Sequence, residues 1–212
     1  MPIPFLKKSL SILLVFCCAN SHAQFIQGYG VTIGGTLSNQ KWVVFNPSQS
    51  IRKNIKPGIN GSGFIEYLNH KYYRIVSELQ YNMKGSIDKQ LDPALRYKAN
   101  YLCFNNFFKI RQQLYDVTPY AIAGPRLEFL LSSNVISMKK THLTISGGIG
   151  MEFLYAWPWI FFAEIQYNPD ATSALKTEQI KIRQNALEIR AGIKYQRKKK
   201  SDCPRPKGGK NF

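Results

Sequence analysis

Histidine, hydroxyl and acidic side chains are the residues of this sequence that could support hydrolytic chemistry. Beyond residue 23 the histidines are His70 and His142, and Thr144 and Ser146 follow the second one closely. A hydroxyl nucleophile needs a histidine base within hydrogen-bond reach and an acid that orients the base. Glu128 could supply that acid from a neighbouring strand. The spacing by itself establishes no such reach, so we expect no enzymatic activity.

A second set of charged residues recurs with the periodicity of β-strands. The set consists of Glu66, Arg74, Glu78, Arg126, Glu128, Glu152, Glu164, Glu188 and Arg190. The glutamates could serve acid–base catalysis or bind a metal, but arginines of the same parity favour a structural network of ion pairs. The sequence has no phosphate-binding loop, no paired CxxC and no nucleotide fingerprint. We therefore expect no cofactor and no metal.

The stretch YRIVSELQYNMK (73–84) shows which structural elements carry these charges. Tyr73, Ile75, Leu79 and Tyr81 alternate with polar residues that include the charged Arg74 and Glu78. Successive side chains of a strand point to opposite faces, so the strand has one apolar and one polar face. A soluble sandwich would bury the apolar face, whereas a membrane barrel would turn it to lipid.

Eight segments share this alternation and favour the barrel. They are residues 25–35, 59–68, 72–85, 95–111, 117–131, 141–155, 160–168 and 185–196. The joins between them are alternately short and long, as in outer-membrane barrels with short periplasmic turns and long outer loops. A soluble Greek-key sandwich has no reason for this rhythm. We predict an all-β fold, an eight-stranded antiparallel up-and-down transmembrane β-barrel.

The two faces of the predicted strands differ as lipid and lumen do. One set is almost free of charge, whereas the other collects glycines and the charged residues named above, which suits a narrow lumen. Aromatic residues gather near both ends of the strands, as in the girdles of such barrels. The fourth segment breaks parity at Asn105 and Asn106, and we predict a β-bulge there.

The first 23 residues are typical of an export signal. Two lysines precede an apolar run at residues 10–19, and the small residues Ser21 and Ala23 precede a cleavage site before Gln24. The run is too short to be a membrane anchor, which needs about 20 apolar residues. We predict a signal peptide at 1–23, a barrel domain at 24–196 and localisation in the cell outer membrane, with both termini periplasmic.

The chain is strongly basic, with a net charge of +17 at pH 7. The signal peptide accounts for two lysines and no acid, so the exported chain would carry +15. In an exported protein this charge points to lipopolysaccharide and lipid headgroups rather than nucleic acid. Residues 197–212 hold seven lysines and arginines against Asp202 alone, which predicts a disordered, basic periplasmic tail.

The predicted outer loop at 36–58 contains an apolar run that is costly to leave in water. The run consists of Trp42, Val43, Val44 and Phe45. It could contact a partner or ligand, or it could belong to a short hairpin that extends the barrel.

Several segments resemble the PorT-type outer-membrane β-barrel family of Gram-negative bacteria. They are GYGVTIGGTLSN (28–39), SELQYNMKGS (77–86), PYAIAGPRLEFLLS (119–132), AEIQYN (163–168) and LEIRAGIKY (187–195). The resemblance implies an eight-stranded outer-membrane barrel, and the family's namesake is tied to type IX secretion. The chain departs from the family at Asn105 and Asn106, where the family has an apolar residue and proline, and in its basic tail.

The function that we expect is a structural or interaction role, as an accessory of a secretion or envelope complex with an envelope protein as partner. A small-solute pore and a lipid-modifying enzyme are the alternatives. A barrel of eight strands normally has a filled interior, which counts against the pore.

Overall fold

A computed structural model provides the structure of the chain. It describes residues 26–45, 48–52, 54–68, 70–88, 95–114, 116–134, 139–170, 175–176 and 180–197. The predicted signal peptide and residues 198–212 of the predicted tail lie outside the described residues. Within the described ranges, no helix is long and apolar enough to cross a bilayer.

Ten antiparallel strands account for most of the described residues. They are β1 (Ile26–Phe45), β2 (Ser48–Arg52), β3 (Asn54–Tyr67), β4 (Tyr73–Asp88), β5 (Leu95–Arg111), β6 (Val117–Ser133), β7 (Thr141–Ala156), β8 (Trp159–Pro169), β9 (Leu175–Lys176) and β10 (Ile180–Gln196). The wall runs in the order β1-β3-β4-β5-β6-β7-β8-β10, and pairing of β1 with β10 closes it. The predicted eight-stranded antiparallel up-and-down barrel is therefore confirmed.

The two ends of the barrel differ in the length of their connections. Short turns at residues 68–72, 112–116 and 157–158 join β3 to β4, β5 to β6 and β7 to β8. We call this the turn end, and the described chain begins and ends there, at Ile26 and Arg197. The opposite end, the loop end, carries the longer connections.

Several strands extend further at the loop end than the sequence predicted. The predicted loop 36–58 is mostly strand, because β1 continues to Phe45, β2 folds back on it as a hairpin, and β3 begins at Asn54. At about 3.3 Å per residue and a tilt of about 40°, the 20 residues of β1 rise about 50 Å. That is about twice the apolar band of about 25 Å. The predicted strands stop short of these loop-end limits because the alternation of apolar and polar residues is needed only inside the band.

The outer wall of the barrel is apolar. Tyr73, Ile75, Leu79 and Tyr81, predicted to face lipid, are 38–53% exposed, and Ile33 reaches 74%. A contiguous exposed apolar surface of this kind needs a membrane or a partner to cover it. The exterior is therefore that of a membrane-spanning barrel.

Aromatic residues mark both limits of this band. At the turn end Trp159 packs edge-on against Tyr195, with ring centroids 5.4 Å apart, and Tyr195 stacks on Tyr29 at 5.4 Å. At the loop end Tyr81 and Tyr167 are exposed on the outer wall. Amphipathic rings at two levels are typical of the two faces of a bilayer.

The predicted β-bulge at Asn105 and Asn106 is wrong. β5 keeps one register with β4 through both residues, and the irregularity in its pairing with β6 lies between Asn100 and Tyr101 instead. Asn105 faces the lumen, while Asn106 lies on the outer wall and accepts a hydrogen bond of 2.7 Å from the Ser77 hydroxyl. The break in parity was only apparent, because β5 turns aromatic residues inward and places an asparagine, paired with a serine, on its outer face.

An apolar layer crosses the lumen between its charged groups. The layer consists of Phe64, Val76, Phe107, Tyr120, Ile122 and Phe162, each at most 7% exposed. The Phe64 and Phe162 rings meet edge to face at 5.5 Å. Inward glycines leave the space for them, since a Cβ on Gly30 would lie 2.7 Å from Phe64 Cζ and one on Gly192 would lie 2.6 Å from Phe162 Cζ.

We expect Gly30→Val to destabilise the barrel and Gly35→Val, on the same strand, to be tolerated. A side chain at Gly30 would clash with the Phe64 ring and with the Ile193 carbonyl, whereas a Cβ at Gly35 meets no atom within 4 Å. Overpacking of this kind costs about 1–3 kcal/mol. Urea unfolding in detergent, followed by loss of heat-modifiable mobility on gels, measures the difference. Equal midpoints for the two variants would contradict the packing of the layer.

Candidate functional site in the barrel lumen

The charged residues predicted to face the lumen are all buried there. Glu66, Glu78, Glu128, Glu152, Glu164, Glu188, Arg74, Arg126 and Arg190 are each at most 6% exposed. A buried charge is costly unless a counter-charge and hydrogen bonds compensate it. The partners of each carboxylate therefore decide what this interior can do.

At the turn end, two carboxylates share a group of cations. Arg74 Nη1 donates to Glu66 Oε2 at 2.6 Å, and Lys109 Nζ donates to Glu66 Oε1 at 2.8 Å. Lys194 Nζ lies 3.0 Å from Glu66 Oε2 and 2.6 Å from Glu152 Oε1, and Lys109 also donates to Glu152. Each lysine thus bridges both glutamates across the lumen.

On the other side of the apolar layer, Arg190 joins two glutamates. Its Nη1 lies 2.5 Å from Glu78 Oε1, and its Nε donates to Glu164 Oε1 at 2.7 Å. The Tyr120 hydroxyl donates to Glu164 Oε2 at 2.9 Å, and the Gln166 amide donates to Oε1 at 3.1 Å. One guanidinium therefore serves two carboxylates with help from neutral donors.

Towards the loop end, neutral amides complete the coordination of Glu188. Arg126 Nη1 donates to Glu188 Oε1 at 2.8 Å, and Asn82 and Asn168 donate to the same oxygen at 2.6 and 2.7 Å. The Gln80 amide donates to Oε2 at 2.8 Å. These donors come from three strands, β4, β6 and β8, so the contact ties opposite sides of the wall to Glu188 on β10.

The last carboxylate of the series is held by a lysine and a histidine. Lys84 Nζ donates to both oxygens of Glu128, at 2.6 and 2.8 Å. His142 Nε2 lies 2.9 Å from Glu128 Oε2 and 3.8 Å from Asp170 Oδ1, and its ring meets that of Tyr101 edge to face at 5.2 Å. The loop end of the lumen therefore also ends in a buried, partly ionic cluster.

The geometry around His142 differs from that of a hydrolase triad. Neither ring nitrogen of His142 makes a hydrogen bond to a hydroxyl among the described residues, and the Thr144 hydroxyl donates to the Arg126 carbonyl and to Glu128 instead. His70 lies outside the lumen, in the β3–β4 turn, where it stacks on Tyr73 at 3.7 Å. Within the described ranges, no three His, Cys, Asp or Glu side chains are grouped so that they could hold a metal.

Little space remains inside the lumen at the level of the apolar layer. The void between the turn-end cluster and Arg190 measures about 20 Å³. A water molecule needs about 10–15 Å³ measured in this way. The side chains therefore fill the lumen at this level to within about one water.

Two members of the network, Lys84 and Lys109, were not singled out from the sequence. Lys84 stood in the polar half of the 73–84 alternation, so its parity was a signal that could have found it. Lys109 was obscured by the incorrect bulge, since the unbroken register of β5 places it opposite Arg74 on the inner face.

The apolar run predicted as an interaction loop lies outside the charge network. Trp42, Val43, Val44 and Phe45 form the end of β1, where the backbone pairs with β2 on one side, and Trp42–Val44 pair with β10 on the other. The backbone is thus that of a hairpin that extends the barrel.

We expect Arg190→Met to destabilise the barrel by about 3–5 kcal/mol, because it leaves Glu78 and Glu164 buried without their shared cation. Arg183→Met on the same strand is the matched control, since Arg183 is exposed and should shift stability by about 0.5 kcal/mol or less. Adding Glu78→Gln and Glu164→Gln to Arg190→Met should recover much of the loss. Urea unfolding in detergent measures all three proteins, and an unchanged midpoint for Arg190→Met would contradict the assigned pairing.

Comparison with known proteins assigns the chain to no family. No protein-family model matches the chain, and no curated protein matches it in sequence.

Similar solved structures include Neisserial surface protein A, with a TM-score of 0.49 and 13% identity over 79% of this chain and 97% of that chain. Outer membrane protein AlkL in lipid bilayers has a TM-score of 0.48 and 7% identity over 85% of this chain and 95% of that one. Ail of Yersinia pestis, in complex with the heparin analogue sucrose octasulfate, has a TM-score of 0.43 and 12% identity over 80% and 99%. At these values the likenesses say nothing about activity, and the fold assignment rests on the chain's own strand pairing. The chain is an eight-stranded, membrane-spanning β-barrel with an ion-paired lumen.

Proposed function

We propose that the chain is a non-enzymatic outer-membrane β-barrel protein of the PorT type, with a structural or interaction role as an accessory of a secretion or envelope complex. The observation that carries this proposal is the filled lumen. Its carboxylates are engaged by buried cations and amides, and the void at the apolar layer measures about 20 Å³. A filled interior leaves the outer wall and the two ends as the surfaces that can act.

The turn end faces the periplasm in this proposal, and the loop end faces the exterior. Short turns on the periplasmic side are the rule for bacterial outer-membrane barrels. Beyond the apolar band at the loop end, Lys41 and Arg183 are exposed and sit opposite each other in the β1–β10 register. Cations at this height suit the phosphates of lipopolysaccharide, which we propose as the lipid partner.

The extension of the barrel at the loop end is the surface that we propose for an envelope or secretion partner. Strands β1 and β10 continue there beyond the band, flanked by the short strands β2 and β9. This sheet has free edges at β2 and β9 within the described residues, unlike the closed wall below it. An open edge can accept a further strand from another protein.

The orientation of the barrel in the membrane is tested with a cysteine in the hairpin. In a Cys203→Ser background, Ser48→Cys should react with a membrane-impermeant maleimide in intact cells, because β2 lies at the loop end. Gln113→Cys, exposed in a turn at the opposite end, should react only after the outer membrane is permeabilised. The reverse pattern would overturn the orientation.

The interaction through the hairpin is tested by affinity purification. The full chain should recover a partner, and a variant with residues 43–50 replaced by a tight turn should lose it. Equal recovery would contradict an interaction through the hairpin.

The small-solute pore is the function that the filled lumen disfavours. Liposomes containing the purified barrel should therefore not swell in an isosmotic solution of a pentose, since no sugar fits a void of about 20 Å³. A general porin in matched liposomes serves as the positive control. Swelling at a comparable rate with the folded barrel would overturn the proposal in favour of a pore.

A further inference from the structure

The turn end of the lumen opens into a cavity that the charge network does not fill. Its volume is about 290 Å³, roughly ten times the ~30 Å³ that one molecule occupies in liquid water. It is lined by Arg111, Thr118, Glu152, Gln196 and Arg197, among others. The exposed Trp157 also lines it, so the cavity lies near the level at which the barrel meets the membrane surface.

The buried charges beside this cavity do not balance. Among the described residues at this level, four buried cations, Arg74, Lys109, Arg111 and Lys194, face two buried carboxylates, Glu66 and Glu152. The rim adds one charge of each sign, Asp116 and Arg197. The buried excess is therefore two positive charges.

Loss of protons from the lysines does not readily remove this excess. Guanidinium groups stay charged in proteins, so Arg74 and Arg111 keep their charges. Lys194 lies 2.6 Å from one Glu152 oxygen and 3.0 Å from one of Glu66, as expected for an ammonium group between two carboxylates. An uncompensated buried charge is costly, so a mobile anion is favoured here.

Arg111 is the cation of this group with hydrogen-bond donors to spare. Its side chain is 8% exposed, and its contact with Glu152 is a loose one, 3.6 Å from Nη1 to Oε2. Among the described residues, its buried Nε and Nη1 have no hydrogen-bond partner, and neither has Nε of Arg74. Arg74 and Arg111 are both buried, on the paired strands β4 and β5.

We propose that this turn-end cavity binds a phosphate group, with Arg111 as its principal ligand. The planar guanidinium presents several N–H donors that match the oxygens of a phosphate. The phosphate also supplies negative charge against the excess, about two charges as inorganic phosphate and about one as a phosphodiester headgroup. A chloride ion would supply one charge and no directed acceptors. The phosphate can belong to free inorganic phosphate or to the headgroup of a phospholipid in the adjacent leaflet. The proposed site does not depend on whether the barrel conducts solutes, binds a protein partner or turns this end to the periplasm.

The test uses the full barrel in dodecyl maltoside, a detergent without phosphate. Isothermal titration with inorganic phosphate forms one arm, and titration with phosphatidylglycerol in mixed micelles forms the other. Arg111→Gln should weaken binding at least tenfold, since hydrogen bonds to charged groups are the strong ones. Lys140→Gln, which removes an exposed cation at the opposite end of the barrel, should leave binding unchanged. Retained heat-modifiable mobility shows that each variant is folded.

The pattern of outcomes identifies the source of the phosphate. Binding of inorganic phosphate that Arg111→Gln weakens supports a free anion, and binding of phosphatidylglycerol alone supports a headgroup. Arg111→Lys keeps the charge and should weaken binding less than Arg111→Gln, and it also serves if Arg111→Gln fails to fold. Absence of binding in both arms, or equal affinity for wild type and the folded Arg111→Gln variant, would overturn the proposal.

Discussion

Ionised side chains enclosed in a narrow barrel cannot keep their hydration, and the interior of this protein is arranged around that constraint. Each buried glutamate is compensated by side chains of other strands, which are either paired with its own strand or lie across the lumen. Arg190 of β10 reaches Glu78 of β4, and Gln80 of β4 reaches Glu188 of β10. These contacts depend on register, since a slip of one residue would turn an entire strand's charges into lipid.

The same constraint accounts for the glycines on β1. The strand stands between β3 and β10, and long inward side chains on it would keep those two strands' residues apart. Gly34 lies opposite Arg190 in the register, and a Cβ there would come within 3.0 Å of Arg190 Cγ. Gly30 makes room for the Phe64 ring in the same way. Small residues on one strand thus permit both the ion pairs and the apolar layer.

Paired charges and an apolar layer fill the lumen, and for this reason our proposals place function on the surfaces and the two ends. The ends are not equivalent. At the loop end the strands continue beyond the apolar band as an open-edged sheet, whereas at the turn end the wall stops at short turns around a cavity that lies beside an excess of buried cations. We therefore propose the loop end for contact with macromolecules and the turn end for a small anion.

The class of fold and the inward direction of the six lumen glutamates could be predicted from the sequence alone. Alternation has a period of two, and it is strict in this chain because one face meets lipid and the other a lumen, so parity could be read without knowing any neighbour. The nine charged residues assigned to the lumen from parity are buried in the structure. The strand ends were harder to predict, because β1, β3 and β10 continue beyond the band, where neither lipid nor lumen imposes the alternation.

Which charges meet could not be predicted from the sequence. Glu66 and Lys194 are 128 positions apart in the chain, and their contact depends on closure of the barrel between β1 and β10. The apolar layer was likewise invisible, because Phe107 reads as a lipid-facing residue until the continuous register of β5 turns it inward. The excess of cations at the turn end emerges only when β3, β4, β5, β7 and β10 are brought around one space. Charge balance depends on which residues surround the same space, and the linear sequence does not reveal which residues those are.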